Sequence, residues 1–366
     1  MQRRRLSPPV QGTLLSVLAA AALSSCSSGS STKAASTPTA STPASTSAGA
    51  STTSPSTPPG LAAVPGYHVA VFAKAAGAYA NPDSIAVDGN AVFVGFQNVT
   101  AKDGTDGKSS TVVQYDLTGK VIKTFDVPGH NDGLRVDPAT HLLWAMSNED
   151  GHPQLTTLDP STGTKKAYTI GKTAHGGGYD DILFLGGKTY LSASNPTVTG
   201  KTNPAPAVVS ATLGAGTVST TPVLMGNAKA KDAISGGNAD TAAIDPDSMF
   251  VNPAGDLTLD NQAGTALISI HRPGPGQGVT QLTVGTQIDD TVYPTAATGR
   301  LLVADTKGGA IYAVTGALDP QTALVAAPDD SGVNGFVGKL DPATGNITPV
   351  IIGMVSPHGM AYLPGT

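Results

Sequence analysis

A short phrase recurs six times in this chain: an opening residue such as Pro, Tyr or Asp, then a polar residue, then a short apolar run. The copies lie at 82–87, 131–136, 179–184, 246–251, 289–293 and 357–362, and their Asp or His positions (83, 132, 180, 247, 289 and 358) are 49, 48, 67, 42 and 69 residues apart. Repeats of this length are typical of solenoids, propellers and arrays. The repeat therefore constrains the architecture more than any single residue does.

A second apolar segment and a glycine-containing turn follow most copies of the phrase. The second segments are 91–96, 142–147, 188–194, 256–260 and 301–305, and turns of this kind lie at 115–120, 158–163 and 340–345. The chain has 44 Gly and 28 Pro, and its 26 acidic residues include one Glu, a composition that favours turns and strands over helices. The pattern predicts an all-β, six-bladed β-propeller; a β-sandwich is the alternative, which a period near 50 residues does not suit.

The strand count also predicts how the ring closes. Five blades of four strands fit between Asp83 and about Ala327, which leaves strands at 333–341, 346–352 and 357–363. The segment Tyr67–Ala73 completes a sixth blade, so that both chain ends close it. This count places the phrase containing His358 on the third strand of that blade rather than the innermost. Either that phrase is coincidental or the strands near 310–345 are wrongly assigned.

The N-terminus has the features of an export signal. Three arginines precede a short apolar core, Leu14–Leu23, which is too short for a stable membrane span. The core ends in Leu23-Ser24-Ser25-Cys26, which resembles the lipobox of bacterial lipoproteins. The resemblance implies cleavage after residue 25, a diacylglycerol on Cys26, and attachment to the extracytoplasmic side of the cell membrane. The alternative is an ordinary signal peptide with an incidental cysteine.

Composition divides the rest of the chain into two parts. Residues 26–60 begin with the lipidated Cys and continue as a Ser/Thr/Pro/Ala-rich segment with one charge, which cannot bury a core and is predicted to be a disordered stalk. Residues 61–366 form the predicted propeller domain. Without residues 1–25 the chain has 18 basic and 26 acidic residues and no basic cluster, which excludes nucleic acid as a partner.

The domain resembles the six-bladed propellers of the NHL-repeat and gluconolactonase/strictosidine-synthase type. The resemblance is carried by the polar–apolar phrases, by 134–138 followed by 142–145, and by 301–306. Gluconolactonase-like enzymes hold one divalent metal in the central channel with a Glu, an Asn and an Asp. The resemblance implies that Asn195 and Asp247 supply the Asn and the Asp. The chain has no Glu at the first phrase, where Asn81-Pro82-Asp83 stands.

Propeller geometry predicts an acidic ring at one mouth of the channel. The loops that enter the innermost strands and those that leave the second strands lie on the same face. Converging carboxylates are costly unless a cation or hydrogen bonds relieve them, and ligands that are all oxygens suit Ca²⁺ or another hard divalent cation such as Mg²⁺. The predicted metal ligands are Asn195, Asp247, Asp83, Asp132, Asp180 and Asp289. The alternative is that each Asp accepts hydrogen bonds within its own turn.

A second group of polar residues lies beside the phrases or at the ends of second strands. These predicted ligand-binding residues are His130, Asn148, Glu149, His175 and Asp305. Each His can act as a ligand or a proton carrier, or can simply pack as a polar side chain. The long connections 98–110, 195–206 and 226–246 fall on the same face, where loops often bind ligands.

Two functions follow from these features. The first is a membrane-anchored, extracytoplasmic propeller that binds a small molecule or a protein partner on its channel face. The second is an exported hydrolase, lactonase-like, that depends on a divalent metal. The metal content of the purified domain distinguishes the ligand-binding propeller from the metal-dependent hydrolase.

Overall fold

Antiparallel strands form the regular structure of this chain. The computed structural model describes residues 57–329, 332 and 334–365. The strands are β1 (Ala62–Ala63), β2 (Tyr67–Lys74), β3 (Pro82–Asp88), β4 (Ala91–Phe96), β5 (Ser109–Tyr115), β6 (Val121–Pro128), β7 (Asn131–Val136), β8 (Leu143–Ser147), β9 (Gln154–Leu158), β10 (Lys165–Ile170), β11 (Ile182–Leu185), β12 (Lys188–Ser192), β13 (Pro206–Leu213) and β14 (Thr217–Met225). The chain continues with β15 (Lys229–Asp232), β16 (Asn238–Asp240), β17 (Pro246–Val251), β18 (Leu257–Asn261), β19 (Ala266–His271), β20 (Gly278–Thr283), β21 (Asp290–Val292), β22 (Gly299–Asp305), β23 (Ala310–Gly316), β24 (Ala323–Ala327), β25 (Gly335–Leu340), β26 (Ile347–Met354) and β27 (Pro357–Pro364).

The predicted signal peptide, Cys26 and most of the predicted stalk lie outside these residues. No helix in the described part of the chain has the length and apolar character needed to cross a membrane.

Strand pairing arranges 24 of the 27 described strands in six four-stranded blades; β1 adds to the outer edge of β26, β15 and β16 add to that of β20, and β10 also pairs with β14. From the innermost strand outward, blade 1 is β3-β4-β5-β6, blade 2 is β7-β8-β9-β10, blade 3 is β11-β12-β13-β14, blade 4 is β17-β18-β19-β20, blade 5 is β21-β24-β25-β26 and blade 6 is β27-β22-β23-β2. Successive innermost strands contact one another around a closed ring, from β3 through β27 and back to β3. The fold is therefore the predicted all-β propeller.

Apolar clusters between neighbouring blades hold the ring together. Six such clusters occur in the described residues, one at each blade-to-blade interface. At the interface of blades 6 and 1, for example, Phe72 and Ile311 pack with Ile85, Val94 and Tyr115. A second strand such as β8 or β24 is buried at every residue, since each of its faces meets another blade. This explains why these strands appear in the sequence as unbroken apolar runs.

Blades 5 and 6 are interleaved along the chain. After β21, the innermost strand of blade 5, the chain forms β22 and β23 of blade 6 before it returns to complete blade 5 with β24, β25 and β26. The C-terminal β27 then becomes the innermost strand of blade 6 and pairs with β22. The N-terminal β2 pairs with β23, so the prediction that Tyr67–Ala73 closes the last blade is confirmed.

This interleaving corrects two expectations. Leu301–Asp305 was expected to be the second strand of the blade that begins at Asp289, but it belongs to blade 6. The phrase at His358 was expected on a third strand, but it opens an innermost strand like the other five. Both errors have one cause: apolar patterning identifies a strand but does not identify its pairing partner.

Candidate functional site: an acidic cavity at the centre of the ring

The recurring phrase is a β-bulge at the start of an innermost strand. In β3 the register with β4 shifts between Pro82 and Ile85, and β7, β17 and β27 show a shift at the same place. A bulge leaves residues out of the ladder and re-aims their side chains. The polar residues of the phrase, such as Asp83, fall within this shift and line a cavity at the centre of the ring.

The cavity has a volume of about 200 Å³ and is strongly acidic. Every phrase contributes residues to its lining, among them Asp83, Asp132, Asp180, Asp247, Asp289 and His358. Asn195 and Glu149, which follow the second strands of blades 3 and 2, line it as well. In total ten carboxyl groups face the cavity, against the cationic side chains of Lys102, Arg135 and His358. The cavity therefore has an excess of negative charge.

His358 takes the place in the sixth phrase that Asp holds in the other five. Its Nδ1 lies 3.1 Å from Oδ1 of Asp83 in blade 1 and 3.0 Å from Oδ2 of Asp289 in blade 5. Its Nε2 lies 3.1 Å from the hydroxyl of Ser356. Burial acts to lower the pKa of His358, but the Asp289 and Asp83 carboxylates outweigh it and hold the pKa well above its usual value. The imidazolium thus joins blade 6 to both of its neighbours, blades 1 and 5, through two ion pairs.

A second acidic residue in two of the phrases ties neighbouring inner strands together. Oδ1 of Asp181 accepts the backbone N–H of Ile182 at 2.7 Å, and its Oδ2 accepts the N–H of Met249 in the next blade at 2.8 Å. Arg135 donates to Oδ2 of Asp181 at 2.6 Å and to the carbonyls of Ile182 and Met249. In blade 5, Asp290 accepts the N–H of Met360 at 2.6 Å. These carboxylates fasten the ring from inside.

Burial makes ionisation of several cavity carboxyls unfavourable. It raises the pKa of Asp132 to about 7 and, despite the opposing effect of Arg135, that of Asp290 to about 7. Burial and repulsion from neighbouring carboxylates raise the pKa of Asp180 and Asp247 well above the usual value. Opposite charge entering the cavity would relieve this repulsion.

His130, Asp132 and Glu149 form a compact group, of which Asp132 and Glu149 line the cavity. One ligand atom from each lies within 4.8 Å of the others, and all three side chains are buried. His130 Nε2 lies 3.4 Å from Oδ1 of Asp132, and Lys102 makes an ion pair with Oε1 of Glu149. Burial acts to lower the pKa of His130, but the Asp132 carboxylate outweighs it and raises the pKa to about 9.

The oxygen ligands predicted from the sequence are spread around the cavity. Asp83 and Asp289 both contact His358, and Asp247 contacts the Ser248 hydroxyl at 3.4 Å. Within the described residues, the acidic and histidine side chains that come together as a three-ligand group are His130, Asp132 and Glu149. Asn195 and Asp247, the two metal ligands that the resemblance to gluconolactonase-like enzymes implies, line the same cavity. Blade 1 contributes no Glu to its described lining.

Four of the five predicted ligand-binding residues lie outside the cavity lining: His130, which contacts Asp132, and Asn148, His175 and Asp305, which make other internal contacts. Asn148 accepts the N–H of His130 and donates to the carbonyl of His152. His175 bonds to the carbonyl of Gly178, and burial lowers its pKa. Asp305 accepts the backbone N–H groups of residues 308, 355 and 356.

Sequence reasoning missed the cationic residues of the cavity. Arg135 stands within the apolar run of the second phrase, where the first and fourth phrases have Ala86 and Phe250. A charged residue in a buried strand is the signal that could have identified it. Lys102 lies in the connection 98–110, which the sequence predicts on the channel face, but nothing in the local sequence singles out this lysine.

The comparisons with known proteins are consistent in class but distant. No model of a protein family and no curated protein matches this chain. A periplasmic gluconolactonase from Pseudomonas aeruginosa is 12% identical, with a TM-score of 0.42 over 77% of this chain and 88% of that chain. A virginiamycin B lyase from Staphylococcus aureus is 11% identical, with a TM-score of 0.42 over 77% of this chain and 73% of that chain. Similarity at this level does not assign an activity, and the fold rests on the strand pairing above.

Proposed function

We propose that this chain is an exported propeller that binds a small cationic ligand in its acidic cavity. The observation that carries the proposal is the convergence of ten carboxyl groups, opposed by three cationic side chains, on one cavity of about 200 Å³. A cavity of this size suits a divalent metal ion or a compact organic amine. Within it, Oδ2 of the buried Asp132 has no hydrogen-bond partner, so the wall offers an acceptor that the protein does not use.

Cation-dependent stabilisation tests the proposal. A ligand that binds the folded state stabilises it by RT ln(1 + [L]/Kd), which is about 2.7 kcal/mol at a hundredfold excess over Kd. Thermal melts of the purified chain with Ca²⁺, Mg²⁺, Zn²⁺ or putrescine should show an increase in Tm for at least one of them. If none raises the Tm at millimolar concentration, the cavity is not a cation site.

The variant Asp247→Asn distinguishes a cation-binding site from a ring of acidic side chains that binds no cation. If a cation binds near Asp247, the variant loses part of the cation-induced stabilisation. If no cation binds, removing one carboxylate relieves repulsion, and the variant melts higher than the wild type with calcium present. Asp319→Asn is the matched control, because Asp319 accepts hydrogen bonds only in a surface turn that ends at Thr322.

The location of the protein is part of the proposal. The basic start, short apolar core and Cys26 support export and lipid attachment, with residues 27–60 as a spacer between membrane and propeller. Cys26→Ser should abolish labelling by a radioactive fatty acid and leave the chain either unprocessed or released. Equal labelling of the variant would refute lipid attachment at this residue.

A divalent-metal-dependent hydrolase is the second candidate. The presence of a His beside two carboxyls in the cavity wall favours it, because this is a donor set able to hold a catalytic metal. A panel of lactones assayed with and without a chelator decides between the two. Turnover that is lost with the chelator and restored by metal supports the hydrolase, whereas cation binding without turnover supports the binding protein.

A further inference from the structure

We propose that three residues of blade 2, His130, Asp132 and Glu149, bind a transition-type divalent metal ion, Zn²⁺ or Mn²⁺, beside the acidic cavity that Asp132 and Glu149 line. The inference rests on the proposed cation-binding function and names the class of cation. It differs from the calcium or magnesium predicted from oxygen ligands alone. All three residues are buried, and one ligand atom from each lies within 4.8 Å of the others.

The hydrogen bonds of His130 leave Nε2 available as a ligand atom. The hydroxyl of Thr100 donates its single hydrogen to the carbonyl of Gln97 at 2.7 Å, so towards His130 it can only accept. His130 Nδ1 lies 2.7 Å from that hydroxyl oxygen and 3.2 Å from the Thr100 carbonyl, so Nδ1 carries a proton and donates it. Nε2 has no hydrogen-bond partner. A backbone or side-chain acceptor on the second ring nitrogen is the usual support of a metal-bound histidine.

In each carboxyl group one oxygen lies near a hydroxyl or amide donor, and the other has no hydrogen-bond partner. Asp132 Oδ1 accepts the side-chain amide of Gln97 at 2.6 Å, and its Oδ2 has no hydrogen-bond partner. Glu149 Oε2 lies 3.5 Å from the Ser194 hydroxyl, and its Oε1 contacts the Lys102 ammonium. Each residue is thus oriented through one atom and can bind metal through the other.

The ammonium group of Lys102 pairs with the Glu149 oxygen that a metal ion would bind, so the two cations would compete. Lys102 comes from the loop between β4 and β5, and 59% of its side chain is exposed, so it can leave without opening the core. A metal ion at this group would displace the Lys102 ammonium from Glu149. Because one nitrogen and two carboxylate oxygens form the donor set, Zn²⁺ or Mn²⁺ is preferred over Ca²⁺, which takes six to eight oxygen ligands.

Metal titration of the purified full chain, prepared without a histidine tag, tests the proposal. Equilibrium dialysis should give one Zn²⁺ per chain, and Co²⁺ in its place should produce visible absorption bands typical of a low-coordinate site with a nitrogen ligand. His130→Gln should weaken binding about a hundredfold, and Thr100→Val, which removes only the support of the imidazole, about tenfold. His175→Gln is the control, since His175 is equally buried but outside this group, and it should not change binding.

Lys102→Met keeps the proposal falsifiable if His130→Gln fails to fold. Removing the competing ammonium should tighten Zn²⁺ binding about tenfold. If Lys102→Met and the wild type both fail to bind Zn²⁺ or Mn²⁺, the group is only an internal ion pair and the inference is wrong. If Ca²⁺ or putrescine nevertheless stabilises the chain in that case, the proposed function survives without this site.

Discussion

Arg135 offers the sharpest test of how the ring is fastened. Its guanidinium extends from the inner strand of blade 2, makes an ion pair with Asp181 at 2.6 Å, and donates to the carbonyls of Ile182 in blade 3 and Met249 in blade 4. Its side chain is 25% exposed, whereas that of Asp181 is only 4% exposed. Arg135→Leu therefore leaves a buried carboxylate without its cation and two carbonyls without a donor.

The expected cost follows from that geometry. Removing one partner of a buried ion pair costs about 3–5 kcal/mol. For a domain of about 300 residues, the unfolding entropy per residue converts this loss into a Tm decrease of about 5–8 °C. Arg135→Lys keeps the charge but reaches fewer acceptors, so it should cost about 1–2 kcal/mol.

Chemical and thermal denaturation of wild type and variants measures these values. Arg272→Leu, at an exposed arginine, is the control and should change stability by less than about 0.5 kcal/mol. Arg135→Leu/Asp181→Asn removes both charges, and a double-mutant cycle should give a coupling of about 2 kcal/mol or more. An Arg135→Leu variant within about 1 kcal/mol of the wild type would refute the reasoning.

Three further predictions concern closure, packing and pH. A chain of residues 75–366, which lacks the outer strand Tyr67–Lys74 of blade 6, should melt well below residues 61–366 and aggregate through the exposed edge of β23, whereas equal midpoints would place ring closure elsewhere. Gly133→Ala should destabilise the fold by about 1–3 kcal/mol, because the added Cβ would lie 2.2 Å from the carbonyl oxygen of Asp180, just before the next inner strand. Gly171→Ala is the control: its Cβ meets no atom within 4 Å, so its effect should be near zero. Equal unfolding free energies of the two variants would contradict this. Burial lowers the pKa of His175 in the folded state, so the unfolded chain binds the extra proton as pH decreases below about 6.5. This residue should therefore lower the free energy of unfolding by at most about 1.4 kcal/mol per pH unit in that range. His175→Gln should lack this contribution, and a variant with the same pH dependence as the wild type would disprove it.

The sequence predicts the inner half of each blade well and the outer connectivity less well. All six phrases open or adjoin innermost strands, because a polar bulge followed by buried residues is a local pattern. The pairing of β22 with β27 is not local: nearly sixty residues separate them, and apolar runs such as β22 and β24 are interchangeable as second strands.

The candidate site shows the same division between local and distant information. Asp83, Asp132 and Asp247 could be placed on the cavity because the phrase itself directs them there. The contacts of Lys102 with Glu149 and of Arg135 with Asp181 join residues about 45 positions apart in different blades or loops. Such contacts depend on how the blades are arranged in the ring. The repeat in the sequence predicts the ring but not which individual side chains meet within it.

The interleaving of blades 5 and 6 bears on how the chain folds as it is made. Blades 1 to 4 are each built from consecutive strands and can form in order as the chain emerges. Blade 5 lacks three of its strands while the chain makes β22 and β23 of blade 6. β22 and β23 in turn lack their inner neighbour until β27, residues 357–364, has been made. The last fifth of the polypeptide, from β21 to β27, is therefore a single assembly step, in which two blades form together and the N-terminal strand β2 pairs at the same time. Until its final eight-residue strand is available, the chain stays an open arc with its acidic cavity unformed.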